Sequence, residues 1–204
     1  MCAKMEGREA SVEVVAMGSR GLSSREIALI SVFASVWIAA QITLGPIIGR
    51  FSIGPVSLHG VVNRVVGWSL MVVLADRSRS FGRVSMMALI ASLGTRMIRL
   101  SPLSGFVTGV GYALGGLIFD YMFFRPSLLN LAGWSRRAYL ILISVVSGLL
   151  AMLPYVLFRF AVLSLEAFIA LTPYYALSMV KGVFFSVIGA SLGLSILHNT
   201  RTVV

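Results

Sequence analysis

The feature that most constrains this chain is its succession of long, nearly uncharged apolar runs. The last one, "YYALSMVKGVFFSVIGASLGLSIL" from Tyr174 to Leu197, carries a single charge, Lys181. Backbone amides in such a run find no water in a bilayer, so the segment must satisfy them internally as a helix. The chain as a whole is 58% hydrophobic and 12% charged, about half the charge of a soluble domain. The 204 residues therefore read as an all-α membrane protein, a compact bundle of transmembrane helices.

Six spans are expected, at about 26–45, 56–75, 84–101, 104–124, 137–159 and 173–198, each of a length that crosses a hydrocarbon core of about 30 Å. The breaks between them fall at turn chemistry or charge. They are "GPIIGRFSIGPVS", "DRSRSFGR", a reversal at Pro102, "RPSLLNLAGWSRR" and the apolar linker "FAVLSLEAFIALTP". Residues 1–21 form a mixed-charge, flexible tail without the apolar core of a secretory signal, and Met5 and Met17 offer alternative starts. Residues 22–204 make one six-helix domain. Ser23 and Glu26 have the spacing of a capping box at the first helix.

Charge placement sets orientation. Lys4, Arg8, Arg20, Arg25, Arg77, Arg79, Arg83, Arg125, Arg136, Arg137 and Arg201 all fall on one side of this arrangement. The positive-inside rule makes that side cytoplasmic, with both termini there. The net charge of +10 is thus read as topology and not as nucleic-acid binding. Cys2 is the only cysteine, which leaves no disulfide framework or cysteine metal site. His59 and His198 lie on opposite faces, so no metal ligand set is expected. No phosphate loop of the G-x-x-x-x-G-K-[ST] type and no H-E-x-x-H is present.

Six cations remain for the outer half: Arg50, Arg64, Arg96, Arg99, Arg159 and Lys181. They face one carboxylate, Glu166. Lys181 and Arg64 each lie eight residues into a span, about 12 Å deep, beyond easy snorkelling. A buried cation needs an opposite charge, carbonyls or water. An anionic or zwitterionic ligand entering from outside supplies the first, and a very wet cavity the last. Arg99 and Arg159 stand near span ends, where snorkelling to the interface is the plainer account. Arg96 admits either reading. Asn63, beside Arg64, and Gln41 either read a polar ligand edge or bond a neighbouring helix. Tyr155 and Tyr174 belong to an outer aromatic group, read as an interfacial belt or as a wall for a flat heterocycle. Ser31, Ser35 and Ala39 repeat every four residues on the first helix, as do Gly105 and Gly109, Gly111 and Gly115, and Gly189 and Gly193. Such stripes pack helices within the bundle by default, or form a docking face for a separate membrane subunit.

Three stretches carry a family resemblance: "EIALISVFASVWIAAQITLGP", "GFVTGVGYALGGLIFDYMF" and "YYALSMVKGVFFSVIGASLG". With six spans in about 200 residues, the chain resembles the substrate-binding S components of energy-coupling factor vitamin transporters over residues 22–199. The resemblance implies a small-molecule substrate, a vitamin or micronutrient, held near the outer surface of a prokaryotic cell membrane. The substrate site would draw on Asn63, Arg64, Arg96, Tyr155, Arg159, Tyr174 and Lys181. A lid would form from the first outer loop with Arg50 and Phe51. Ser31, Ser35 and Ala39 would dock onto a transmembrane coupling protein, and two partner ATPases would supply the energy, so no cofactor of its own is expected. Serines replace alanine at two of those three docking positions. Two other classes stay open. One is an intramembrane enzyme acting on an anionic headgroup through Glu166, Tyr155 or His59. The other is a ligand-free accessory subunit of a membrane complex.

Overall fold

The computed structural model describes residues 22–53, 56–98, 103–125 and 135–202. The N-terminal tail 1–21, Arg99, Pro102 and most of the 125–136 connection lie outside these residues. Among the described residues are seven α-helices: α1 (Ser24–Ile48), α2 (Val61–Ser78), α3 (Arg83–Ile98), α4 (Leu103–Phe124), α5 (Arg136–Leu150), α6 (Leu153–Val162) and α7 (Leu165–Thr202). The two-residue strands β1 (Ser52–Ile53) and β2 (Val56–Ser57) pair antiparallel between α1 and α2.

Four segments are long and apolar enough to cross a membrane: α1, α4, the α5–α6 unit and α7. This is the profile of a multi-pass membrane protein. Neither α2 nor α3 reaches that standard. At 16 residues α3 is too short, while α2 packs against α1, α3, α4 and α7, and ten of its residues are buried, Arg64 and Asn63 among them. A helix enclosed by other helices meets protein instead of lipid and need not be apolar throughout.

Several boundaries differ from the sequence expectation. The first helix does not stop at Gly45-Pro46. It carries Pro46 inside its last turn and closes at Gly49, whose amide donates to Gly45 O at 2.9 Å. The second helix starts at Val61, not near 56, because Val56 and Ser57 pair with Ser52 and Ile53 as β2 on β1, and Gly60 turns the chain at φ 81°, a conformation open mainly to glycine. The expected fifth span is broken at Ala151–Met152. Pro154 has no amide to continue α5 and sits in the first turn of α6. The linker before the last span is itself helical. Ser164 starts α7, accepting from Phe168 N at 2.9 Å on its carbonyl and from Ala167 N at 3.4 Å on its hydroxyl, and the helix continues through Pro173.

The Ser23–Glu26 capping box forms as expected, and Glu26 also pairs with Arg83 at 3.0 Å, tying α1 to α3. Asp76 pairs with Arg136. Asp120, at the end of α4, caps the start of α3: its Oδ2 accepts from Gly82 N at 2.8 Å, Ser85 N at 3.1 Å and Ser85 Oγ at 2.8 Å. Three of the described acids are thus engaged at the arginine-rich end. The core beneath them contains Trp68, Met71, Leu74, Met87, Phe119 and Ile143, all fully buried.

The glycine pairs on α4 and α7 face inward. Gly189 and Gly193 lie on the backbone of α2 at Val65 and Ser69, and Gly111 and Gly115 lie against Ala151. The α1 stripe does the opposite. Ser31, Ser35 and Ala39 are exposed, while Ile30, Ala34 and Trp37 form the buried face. The default reading of that stripe as internal packing is therefore overturned.

Candidate functional site

Strand β2 and the helices α1, α2, α3, α4, α6 and α7 contribute to one cavity of about 550 Å³ at the end of the bundle opposite the arginine-rich connections. Its wall comes from the last turns of α1 and α3, the first turns of α2 and α4, the α5–α6 break and the outer half of α7. The volume falls within the range of small-molecule sites.

Six of the seven sequence-derived substrate residues line it: Asn63, Arg64, Arg96, Tyr155, Tyr174 and Lys181. Arg159 does not. It lies behind Tyr155, donating from Nε to the phenol oxygen at 3.0 Å, with its Cζ 5.3 Å from the ring centroid. Arg50 and Phe51 are exposed and do not line the cavity either. The same loop reaches the site through Ser57, His59 and Gly60 instead, because the β1–β2 pair turns its second strand inward.

Arg64 is 4% exposed. Its Nη1 donates to Gly148 O at 2.8 Å and contacts Ser186 Oγ at 3.4 Å. Gly148 belongs to the last turn of α5, where carbonyls lack helical partners, so the guanidinium caps the broken helix. Its Cζ lies 4.9 Å from the Trp68 ring and 5.2 Å from the Tyr112 ring, within cation–π range. Gly182 leaves the room it occupies: a Cβ there would come 3.3 Å from Arg64 Nη2. The guanidinium is thus adjacent in space to the neighbour of Lys181. Lys181 Nζ donates to Ser57 O at 2.6 Å and His59 O at 3.3 Å. Both cations meet carbonyls, and no Asp or Glu is among the cavity-lining residues.

Asn63 is held from behind. Its Oδ1 accepts from Trp37 Nε1 and from Gln41 Nε2. Tyr112 stands edge-on to Trp37 at 6.4 Å and to Trp68 at 6.3 Å. This aromatic and amide layer closes the cavity floor. Outward, Tyr155 and Tyr174 both meet Tyr175, and Tyr175 meets Phe168. Of the outer aromatics, Tyr155 and Tyr174 line the cavity, and Phe160 is exposed at the surface.

Sequence reasoning missed Tyr112, Trp68 and the Ser57 and His59 carbonyls. A tyrosine inside a glycine-rich helix is a usable signal, since small neighbours leave space for a large side chain to reach a polar group. Backbone carbonyls leave no trace in side-chain identity. For nucleophilic chemistry, Ser104 lines the cavity while His198 lies near the far end of α7, so the two do not meet; Glu166 is exposed in the first turn of α7 and does not line the cavity. Among the described residues no group of three His, Cys, Asp or Glu side chains is placed to hold a metal ion.

No protein-family model matches this sequence, and neither a curated protein nor a solved structure matches it.

Proposed function

We propose that this protein is the substrate-binding subunit of an importer of the energy-coupling factor type, capturing a small anionic micronutrient. The observation that carries the reading is the cavity in which Arg64, Arg96 and Lys181 converge with no carboxylate in its lining. Burying a cation costs several kcal/mol unless it is compensated. A site that keeps donors of positive charge facing a hollow is chemically fitted to a carboxylate or phosphate.

In this reading the cavity faces outward and the arginine-rich connections face the cytoplasm. The six passes are α1, α2, α3, α4, α5 with α6, and α7, in a prokaryotic plasma membrane. The exposed Ser31, Ser35 and Ala39 stripe meets a coupling protein, and two ATPases on that protein supply the energy. Native mass spectrometry of the detergent-solubilised protein tests the first part. A co-purifying anion, absent from a Lys181→Met preparation, is the expected result. A protein that carries no anion and takes up none in cells depending on it would leave the reading without support.

A further inference from the structure

We infer that Asn63 is the specificity-determining residue of the cavity, and that it selects a flat anionic ligand by a hydrogen-bond acceptor on its ring system. The inference rests on the anion reading above and goes beyond it to the ligand's own pattern of donors and acceptors.

The indole of Trp37 can only donate a hydrogen bond. The Asn63 atom it meets must therefore be the carbonyl oxygen, and the orientation of the amide is fixed by chemistry and not by choice. Gln41 Nε2 reaches the same oxygen. With Oδ1 occupied twice, the Nδ2 amino group is what Asn63 presents to the cavity it lines, and it makes no hydrogen bond to the described residues. Asn63 is itself 6% exposed, so water compensates these donors only from within the cavity.

Rotating the amide to read a donor instead would set its NH₂ against the Trp37 N–H, and the buried Trp37 has no room to retreat. Gly67 packs on its ring. The locked donors lie next in sequence to Arg64 and, like Arg64 and Lys181, offer hydrogen to the ligand. Tyr112, Tyr155, Tyr174 and Phe185 supply flat apolar wall. A ligand that fits is an aromatic acid: its anionic group is met by the cations, and a ring nitrogen or carbonyl oxygen is met by Asn63. An otherwise identical acid without that acceptor leaves the Asn63 amino group dry and unpaired, which a buried site penalises.

Two matched probes isolate the effect: quinoline-3-carboxylate and naphthalene-2-carboxylate, equal in charge and shape and different by one ring acceptor. Their affinities for the detergent-solubilised full chain are measured by calorimetry. The wild type is expected to favour the quinoline acid by about tenfold. Asn63→Asp keeps an acceptor for Trp37 and Gln41 while replacing the inward donors by an oxygen. It should erase or invert that ratio, whatever the added charge does to both affinities. Asn63→Leu, which has neither donor nor acceptor, should bring the ratio to about one. Equal binding of both acids by the wild type overturns the Asn63 assignment and leaves the anion reading standing. An unchanged ratio in Asn63→Asp does the same. Failure of both acids to bind, at concentrations where their neutral methyl esters bind, overturns the anion reading and this inference with it.

Discussion

The Lys181 ammonium on α7 donates at 2.6 Å to the backbone carbonyl of Ser57, 124 residues earlier in the chain. With the 3.3 Å contact to His59 O, one side chain fastens the loop between α1 and α2 to the opposite wall of the cavity. An ammonium has three donors, so the third is left to meet an anion while the loop stays attached. Lys181→Met is expected to speed hydrogen exchange of the amides at 57–60 by about tenfold, since a hydrogen bond to a charged group contributes roughly 1.5–3 kcal/mol. Lys181→Arg should restore much of the protection. Exchange in the loop that is unchanged by Lys181→Met would show that the β1–β2 pair holds the loop without it.

The exposed stripe on α1 gives a separate test of the proposed assembly. Ser35 faces away from the bundle core, so Ser35→Leu should leave the melting temperature of the isolated protein within the small range of surface substitutions, about 0.5 kcal/mol. If the stripe meets a coupling protein, close approach of helices there requires small residues, and the same substitution should abolish co-purification of that partner. Loss of stability in the isolated protein would point to a structural role for the stripe instead.

The inward glycines predict a sharp positional contrast. A Cβ on Gly189 would lie 2.5 Å from Val65 O and 3.0 Å from Arg64 O, and both are backbone atoms that move only if α2 moves. Gly189→Ala should therefore destabilise by about 1–3 kcal/mol, the usual effect of overpacking. It should also weaken anion binding, because the displaced backbone is that of Val65 and Arg64. A Cβ on Gly45 meets nothing within 4 Å, and Gly45→Ala should be neutral in thermal melts. Equal melting temperatures for the two variants would mean that α2 and α7 do not approach so closely.

What the sequence made legible follows the same physics. Apolar run length located α1, α4 and the cores of the last two spans, because lipid imposes its requirement on every exposed residue. Charge imbalance located Arg64 and Lys181, because few alternatives satisfy a deep cation. The prolines misled. Pro46 and Pro173 lie inside α1 and α7, whereas Pro154 divides α5 from α6. Whether a proline ends a helix depends on how the freed carbonyl is satisfied, and at α5 the end is met by Arg64 at Gly148 O, a residue far away in sequence. The same distance in sequence hid Trp37 behind Asn63. Each is an ordinary residue for its helix until the fold brings them together.

Asp120 supplies a cap that local sequence around α3 does not contain. It is fully buried, and its Oδ2 accepts three hydrogen bonds from Gly82 and Ser85. Removing a cap typically costs about 0.5–2 kcal/mol. Asp120→Ala should fall in that range or above it, as the amides at 82 and 85 are left without an acceptor. Asp120→Asn retains an acceptor oxygen and should be milder. Circular-dichroism melts of the two variants distinguish these outcomes. If Ala and Asn melt alike, the carboxylate matters for its charge and not for the cap.

Arg64 gives the most direct test of whether the cavity is built for function at the expense of stability. The guanidinium is buried with no carboxylate, held by one carbonyl, one hydroxyl and two aromatic faces. Replacing it by an apolar side chain of similar length removes the desolvation cost of an unpaired buried charge. Here the replacement also leaves Gly148 O without its donor, an effect of about 1–3 kcal/mol in the other direction. The two nearly offset, so Arg64→Met should melt within about 2 kcal/mol of the wild type while losing at least tenfold in affinity for an aromatic carboxylate. Arg64→Ala should be clearly less stable, since it opens a cavity between Trp68 and Tyr112 as well. A Met variant that keeps full anion affinity would place the ligand's charge elsewhere, on Lys181 or Arg96. One that unfolds outright would assign Arg64 to the architecture of α5 and α7 and remove it from recognition.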